Sequence, residues 1–125
     1  MARKIPAHHV KLKRAYEPPA DEDGHRILVD RLWPRGVKKA DAAIHEWAKE
    51  LSPSPGLRKW FGHDPSRWEE FQRRYRAEVA AHPEEIEHLR ALARAGPITL
   101  VFAARDETRN SAVLLREMLM EQADK

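Results

Sequence analysis

The 125-residue chain contains no cysteine. This absence excludes a disulfide framework, a cysteine-ligated metal centre and a thiolate nucleophile, and it is typical of proteins in a reducing compartment. No apolar run approaches the roughly 20 residues that cross a bilayer, and no apolar signal-like stretch follows the basic N-terminus. We therefore expect a soluble cytoplasmic protein with no membrane partner, one domain over residues 1–125, and a flexible segment over residues 1–8.

Common catalytic signatures are missing too. The sequence has no Walker loop, GxGxxG, HExxH or GxSxG, so the usual nucleotide, dinucleotide, zinc-protease and serine-hydrolase motifs are excluded. Glu85 and His88 have the spacing of a carboxylate-bridged metal motif, but the second copy and the further glutamates that it needs are absent. We predict no metal site, although a divalent cation between Asp30 and Asp106 stays an alternative because hard cations favour carboxylates. The sequence indicates no particular cofactor.

Charge of one sign is in only slight excess. The chain has 23 lysines and arginines against 20 acidic residues, for a net charge of +3, and such mixed charge usually forms a solvated surface. The exception is a basic N-terminal stretch that precedes the first acid, Glu17, and contains Arg3, Lys4, Lys11, Lys13 and Arg14. That stretch could bind nucleic-acid phosphate, or it could be a solvated tail running into an edge strand.

Apolar spacing predicts an α/β order. Residues 10–16 alternate as a strand with one wet face, residues 26–32 contain an unbroken apolar run typical of a central parallel strand, and residues 98–104 form the third strand. Helical spacing covers residues 40–47 and three segments between 55 and 95, and a last helix follows residue 110. We expect a short, mostly parallel sheet of about three strands, a helical insertion between the second and third, and a C-terminal helix. The direction of the first strand stays open, because the segment before the second is short for a parallel crossover.

Charged residues follow the second and third strands at the point where each ends. Parallel neighbours would bring both ends to one edge of the sheet, where α/β proteins hold ligands. The residues expected around one crevice are Asp30, Arg31, Arg35, Arg105, Asp106, Arg109 and Asn110.

Each of these residues can be given a chemical role. Arg31 and Arg35 carry guanidinium forks that suit carboxylate or phosphate, and Pro34 and Gly36 place Arg35 in a tight turn. Asp30 or Asp106 is a candidate catalytic base, although Asp30 could instead pair with Arg31, and Asp106 could instead cap the last helix.

Further candidates lie on both sides of this crevice. Asn110 could orient a substrate together with Arg109. Trp33 could stack on a flat ligand or pack as a core or rim aromatic. In the helical insertion, His63 is a candidate acid–base catalyst that Asp64 could orient, although Asp64 before Pro65 also suits a helix cap. Arg58 could clamp an anion.

At the level of whole blocks, the chain resembles the DUF488 family in its YeaO-like branch, from about Val10 to Leu119. The matching blocks are GHRILVDRLWPRG at 24–36, LRKWFGHDP at 57–65 and FAARDETRNSA at 102–112, with Trp47, Pro53, Ser54, Trp68, Phe71 and Tyr75. The resemblance implies a small three-layer α/β fold with Asp30 and Asp106 close together, in a family of unknown function. Arg109 stands where relatives usually have histidine, and the cysteines common in the wider family are absent.

These observations lead to competing functional predictions. The first is an enzyme or ligand-binding protein for a small anionic, perhaps nucleotide-like, molecule at the ends of strands 2 and 3. The alternative is a non-catalytic nucleic-acid-binding or regulatory module that uses the basic N-terminal strand, and such a module should lose affinity steeply as salt rises. A third option is a structural protein whose polar cluster only fixes the fold. We expect a monomer or a homodimer.

Overall fold

The computed structural model describes residues 5–121, and within them the chain forms one four-stranded parallel sheet. The strands are β1 (Val10–Arg14), β2 (His25–Leu28), β3 (Glu46–Trp47) and β4 (Ile98–Phe102). Their order across the sheet is β1-β4-β2-β3, so β4 lies between β1 and β2. The mixed α/β fold with a C-terminal helix is confirmed, and the sheet has one strand more than the sequence indicated.

The direction of β1 is settled by its pairing. Both β1 and β2 run parallel to β4, and Val10 and His25 flank the same residue, Ile98. Because the strands are only four or five residues long, a short connection is enough to return the chain to the start of the sheet. Gly24 ends that connection at φ +65°, and a Cβ there would lie 2.2 Å from the Pro97 carbonyl oxygen, so only glycine fits.

The five helices of the described residues lie between and after these strands. They are α1 (Lys39–Ala42), α2 (Pro55–Phe61), α3 (Trp68–Ala80), α4 (Pro83–Ala95) and α5 (Ser111–Glu121). Ser54 caps α2 through its side-chain oxygen, with Pro55 at the first helical position, as the sequence predicted. None of the helices within residues 5–121 is long and apolar enough to cross a membrane.

The prediction of a helix through residues 40–47 is wrong. Only α1 forms, and it ends at Ala43, which adopts a left-handed φ of 51°. The chain then extends into β3, where Glu46 and Trp47 pair with Ile27 and Leu28. The apolar residues of this segment pack on the sheet from β3 and from the residues just before it. Their spacing of three and four therefore resembled that of a helix without forming one.

The two faces of the sheet are covered differently. One face carries the large core, in which Ile27, Val29 and Leu100 are fully buried and α3, α4 and α5 supply most of the covering side chains. The other face carries a small cluster of Ala15, Leu28 and Val101, against which Trp33 and Trp47 pack. The unbroken apolar run of β2 is therefore explained by burial on both faces.

The second face also holds a group of charges, Lys13, Asp23 and Arg26, which we call the buried ion cluster. Asp23 accepts hydrogen bonds from Lys13 Nζ at 3.1 Å and from Arg26 Nη1 at 2.6 Å. The Arg26 Nε–H is donated to the Ala42 carbonyl oxygen, while Arg26 Nη2 is buried without a partner. These contacts tie β1 and β2 to the connection between them.

Candidate functional site

A cavity of about 890 Å³ opens at the C-terminal edge of the sheet. Its wall is built from the segment after β2, from α2 and its flanks, and from the segment after β4, with Phe71 of α3 behind them. The volume is within the range of small-molecule sites. Asp30 and Asp106 both line it, so the charged ends of the two strands share one space. The sequence-predicted residues in its lining are Asp30, Arg31, Trp33, Arg35, Arg58, His63, Arg105 and Asp106.

Three exposed arginines of the lining, Arg35, Arg58 and Arg105, form what we call the cavity guanidinium groups. No hydrogen bond or ion pair joins any of their guanidinium groups to another residue within 5–121, whereas the other described arginines bond through theirs to carboxylates or carbonyl oxygens. The cavity therefore collects the described arginines whose guanidinium groups the fold leaves without partners.

Asp30 holds the ends of β2 and β4 together. Its Oδ2 accepts the Ala103 backbone N–H at 2.9 Å, and its carbonyl oxygen accepts the Trp47 Nε1–H at 2.6 Å. Burial raises the pKa of the Asp30 carboxyl, and the Ala103 N–H and the positive charge of Arg58 oppose that rise only in part. Asp30 is thus a partly desolvated carboxyl within a cationic wall, and it makes no ion pair with Arg31.

Arg31 and Trp33 are held by the chain around them. The Arg31 Nε–H is donated to the Pro53 carbonyl oxygen at 3.2 Å, which links the segment after β2 to the start of α2. The Trp33 Nε1–H is donated to the Val37 carbonyl oxygen at 2.6 Å, and its ring meets the Trp47 ring edge to face at 5.7 Å. One side of Trp33 therefore packs on the second face while its ring still lines the cavity.

The carboxylate of Asp106 is bonded to its own loop. Its Oδ1 accepts from the Thr108 N–H at 3.0 Å, the Thr108 hydroxyl at 2.9 Å and the Arg109 N–H at 3.0 Å. These hydrogen bonds, the Thr108 backbone first, lower the pKa of Asp106 below its usual value. Asp106 caps the turn before α5 rather than the helix itself.

Asn110 and Arg109 do not line the cavity. Asn110 is 6% exposed; its Oδ1 accepts the Val113 N–H at 2.9 Å, and its Nδ2 donates to the Asp106 carbonyl oxygen at 2.8 Å. It is the N-cap of α5 and a tie to the Asp106 turn, a role that its place just before the helix could have indicated. Arg109 lies beside Asp106, with Nε 3.7 Å from Oδ2.

His63 lies at the cavity rim without its predicted orienting partner. The Asp64 carboxylate instead accepts from the Ser66 N–H at 3.0 Å and the Ser66 hydroxyl at 2.8 Å, capping the short turn Pro65–Arg67. His63 itself is exposed, with φ 57° after Gly62, and its ring lies 6.3 Å from that of Phe61. Of the two readings that the sequence left open for Asp64, the cap is the one present.

The basic cations of β1 bond within the protein. Lys11 Nζ donates to the Glu22 carbonyl oxygen, Lys13 belongs to the buried ion cluster, and Arg14 Nε donates to the Ala104 carbonyl oxygen at 3.1 Å. The predictions that fall on Arg3 and Lys4 lie outside the described residues. Within residues 5–121, no three histidine or acidic side chains are arranged to hold a metal ion.

Sequence reasoning missed part of the lining. Lys59, Phe61 and Phe71 contribute to the wall, as do the prolines at 53 and 55. Lys59 and Phe61 stand in the same sequence block as Arg58 and His63, which was a usable signal. Phe71 belongs to the apolar stripe of α3, and spacing alone does not reveal that such a residue also reaches a cavity.

Fold and site together define an α/β protein with a cationic cavity at the C-terminal edge of a parallel sheet. Comparison with known families adds that the family model described as "Inactive DUF488-N3 subclade" matches residues 9–125. The chain therefore belongs to the DUF488 family, as its motif blocks indicated.

Individual relatives agree with this assignment. The chain is 44% identical over 111 residues to the uncharacterized protein YeaO of Escherichia coli (strain K12), covering 89% of this chain and 96% of the relative. It is 38% identical over 110 residues to the uncharacterized protein Rv3073c of Mycobacterium tuberculosis, covering 88% of this chain and 92% of the relative. No solved structure gives a significant match.

Proposed function

We propose that the cavity binds a small anionic molecule carrying a phosphate or carboxylate group, and that it does so without catalysing a reaction. The observation that carries the proposal is the convergence of the three cavity guanidinium groups, which have no protein partner among the described residues, on one space. A guanidinium fork matches two oxygens of a phosphate or carboxylate, and such charge-assisted hydrogen bonds are about twice as strong as neutral ones.

The balance of charge in the lining supports an anion. Arg31 and Lys59 add to the three cavity guanidinium groups, against two carboxylates, Asp30 and Asp106. Asp106 already accepts three hydrogen bonds from its own turn. The field in the cavity is therefore positive and favours entry of an anion.

Binding without catalysis is supported by the state of two of the three candidate acids and bases, Asp106 and His63. A general base needs hydrogen-bond reach to its proton and a tuned pKa. The Asp106 pKa is lowered, Asp64 caps a turn instead of orienting His63, and the family model carries the description "inactive". The catalytic roles of Asp30, Asp106 and His63 stay predictions and are not needed for this function.

The test is a thermal-shift and calorimetric screen with inorganic phosphate, pyrophosphate and small di- and tricarboxylates at fixed ionic strength. We expect at least one of these anions to stabilise the wild-type protein. Arg35→Ala and Arg58→Ala should each weaken binding by about tenfold to about 150-fold, since a hydrogen bond to a charged group contributes about 1.5–3 kcal/mol. Arg73→Ala is the matched control, because it removes a 77% exposed guanidinium on α3 outside the cavity.

Two outcomes would contradict the proposal. One is an absence of stabilisation by any anion of the screen at millimolar concentration. The other is an equal loss of affinity in Arg73→Ala and Arg35→Ala, which would mean general charge screening instead of a site.

A further inference from the structure

Asp30 presents an acceptor that the fold does not use. Its Oδ2 is bonded to the Ala103 N–H at 2.9 Å, whereas no donor within residues 5–121 bonds to Oδ1. Asp30 lines the cavity, and its Oδ1 is accessible to solvent. Because Oδ1 is accessible and has no donor from the described residues, it is free to accept a hydrogen bond from a ligand that brings an N–H group.

Flat side chains line the same space. Trp33 is half-buried and His63 is exposed, while Phe61 and Phe71 are 8% and 3% exposed and back the wall. Aromatic side chains hold a flat heterocycle by offset or edge-to-face packing. The cavity thus combines a surface for a ring, a cationic region for an anion and one carboxylate oxygen for a donor.

We propose that Asp30 Oδ1 accepts a hydrogen bond from the exocyclic amino group of a nucleobase, so that the ligand is a nucleoside monophosphate with an amino-bearing base. This inference rests on the proposed anion binding, which places the phosphate at the cavity guanidinium groups. An ionised carboxylate accepts only, so a carbonyl oxygen held at the position of the amino group would be repelled. Uracil or hypoxanthine could bond to Oδ1 only by moving its adjacent ring N–H into that position. Asp30 therefore acts as a specificity-determining residue.

The discriminating experiment compares ligands that differ at this one group. Calorimetry with cytidine and uridine monophosphates, and with adenosine and inosine monophosphates, measures the preference for an amino group at equal phosphate charge. We expect the wild-type protein to bind the amino member of at least one pair about tenfold or more tightly. Equal affinities within both pairs would overturn the inference.

Asp30→Asn tests the assigned atom. Asparagine can keep its carbonyl oxygen on the Ala103 N–H and turn its amide N–H₂ toward the cavity, which replaces the acceptor by a donor. The preference for the amino base should then disappear or reverse. Asp106→Asn is the matched control, since Asp106 is the other lining carboxylate and its Oδ1 is bonded within its turn; it should keep the preference.

The remaining outcomes distinguish failure of this inference from failure of the proposed anion binding on which it rests. If pyrophosphate binds and depends on Arg35 while the base preference is absent, the anion site stands and the role of Asp30 falls. If Asp106→Asn abolishes the preference as fully as Asp30→Asn, the assignment to Asp30 is overturned. Should Asp30→Asn fail to fold, Asp30→Ser removes Oδ1 while leaving an oxygen near Ala103, and an unchanged preference in that variant would also overturn it.

Discussion

Asp23 and Asp30 stand at opposite ends of β2, and their surroundings shift their pKa values in opposite directions. Burial alone would raise the pKa of Asp23, but hydrogen bonds from the Ala20 N–H, Lys13 and Arg26 outweigh it and lower the pKa below the usual 3.8. At Asp30 burial dominates, because a single backbone N–H and the nearby charge of Arg58 do not offset it. One carboxyl is fully partnered inside the protein, and the other keeps an open oxygen toward a cavity.

The arginines repeat the contrast. Arg26 is 2% exposed and is held by Asp23 and the Ala42 carbonyl oxygen, because a cation removed from water must be paired. Arg35 is exposed at the cavity and its guanidinium has no partner within residues 5–121. The paired guanidinium of Arg26 therefore stabilises the fold, whereas the unpaired guanidinium of Arg35 is available to bind a ligand.

Breaking the buried ion cluster should have the largest effect on stability. Asp23→Asn leaves Arg26 and Lys13 without their counter-charge, and removing one partner of a buried pair costs about 3–5 kcal/mol. We expect that loss in the free energy of unfolding measured by urea denaturation at neutral pH. Arg26 Nη2 is already buried without an acceptor, so the cluster has no spare acceptor that could replace the lost Asp23 charge.

The neighbouring Glu22 provides the control for this variant. Its side chain is exposed, and it contributes only its backbone carbonyl oxygen, to Lys11. Glu22→Gln should change the unfolding free energy by less than about 0.5 kcal/mol. An equal, small effect of both substitutions would show that the buried ion cluster does not stabilise the fold.

Removing the cap of α5 should have an intermediate effect. Asn110→Ala leaves the Val113 N–H and the Asp106 carbonyl oxygen without their partners, and loss of such a cap costs about 1–2 kcal/mol. The decrease should appear in the thermal midpoint. Asn110→Asp keeps the acceptor for the Val113 N–H but sets a carboxylate oxygen against the Asp106 carbonyl oxygen, so it should recover only part of the loss. An Ala variant as stable as wild type would contradict the capping role.

The fold was largely readable from local patterns. The apolar run of residues 27–29, the Ser54-Pro55 helix start and the α3 stripe each predicted the element that forms, because period and capping are local properties. The structure of segment 40–47 could not be predicted in this way, because β3 depends on hydrogen bonds with β2 that leave no local sequence pattern.

The candidate site was readable in part for the same reason. Parallel neighbouring strands joined through several helices predicted that Asp30 and Asp106 would meet at one edge, and both line the cavity. Sequence could not tell which side chains keep free groups there. Asn110 was predicted to orient a substrate, but its side chain caps α5. Phe71 was predicted to be a core residue, but it also contributes to the cavity wall.

Neutralising Asp30 should have the smallest effect and the opposite sign to Asp23. Because the folded protein raises the pKa of Asp30, its ionised form costs stability at neutral pH, and that cost disappears as the pH falls through the folded pKa toward the usual 3.8. Asp30→Asn keeps an acceptor for the Ala103 N–H while removing the charge. The variant should therefore be as stable as wild type, or up to about 1 kcal/mol more stable, at pH 7.

Urea denaturation between pH 7 and pH 3 on three proteins makes the contrast quantitative. The difference in unfolding free energy between wild type and Asp30→Asn should disappear on acidification as Asp30 takes up its proton. The difference in unfolding free energy between wild type and Asp23→Asn has the opposite sign and should begin to shrink only below pH 3.8, because Asp23 has a lowered pKa and its stabilisation is lost as the pH falls from 3.8 through the folded pKa. A clear loss of stability in Asp30→Asn at pH 7 would mean that the Asp30 charge is paired within the fold and is not open to the cavity.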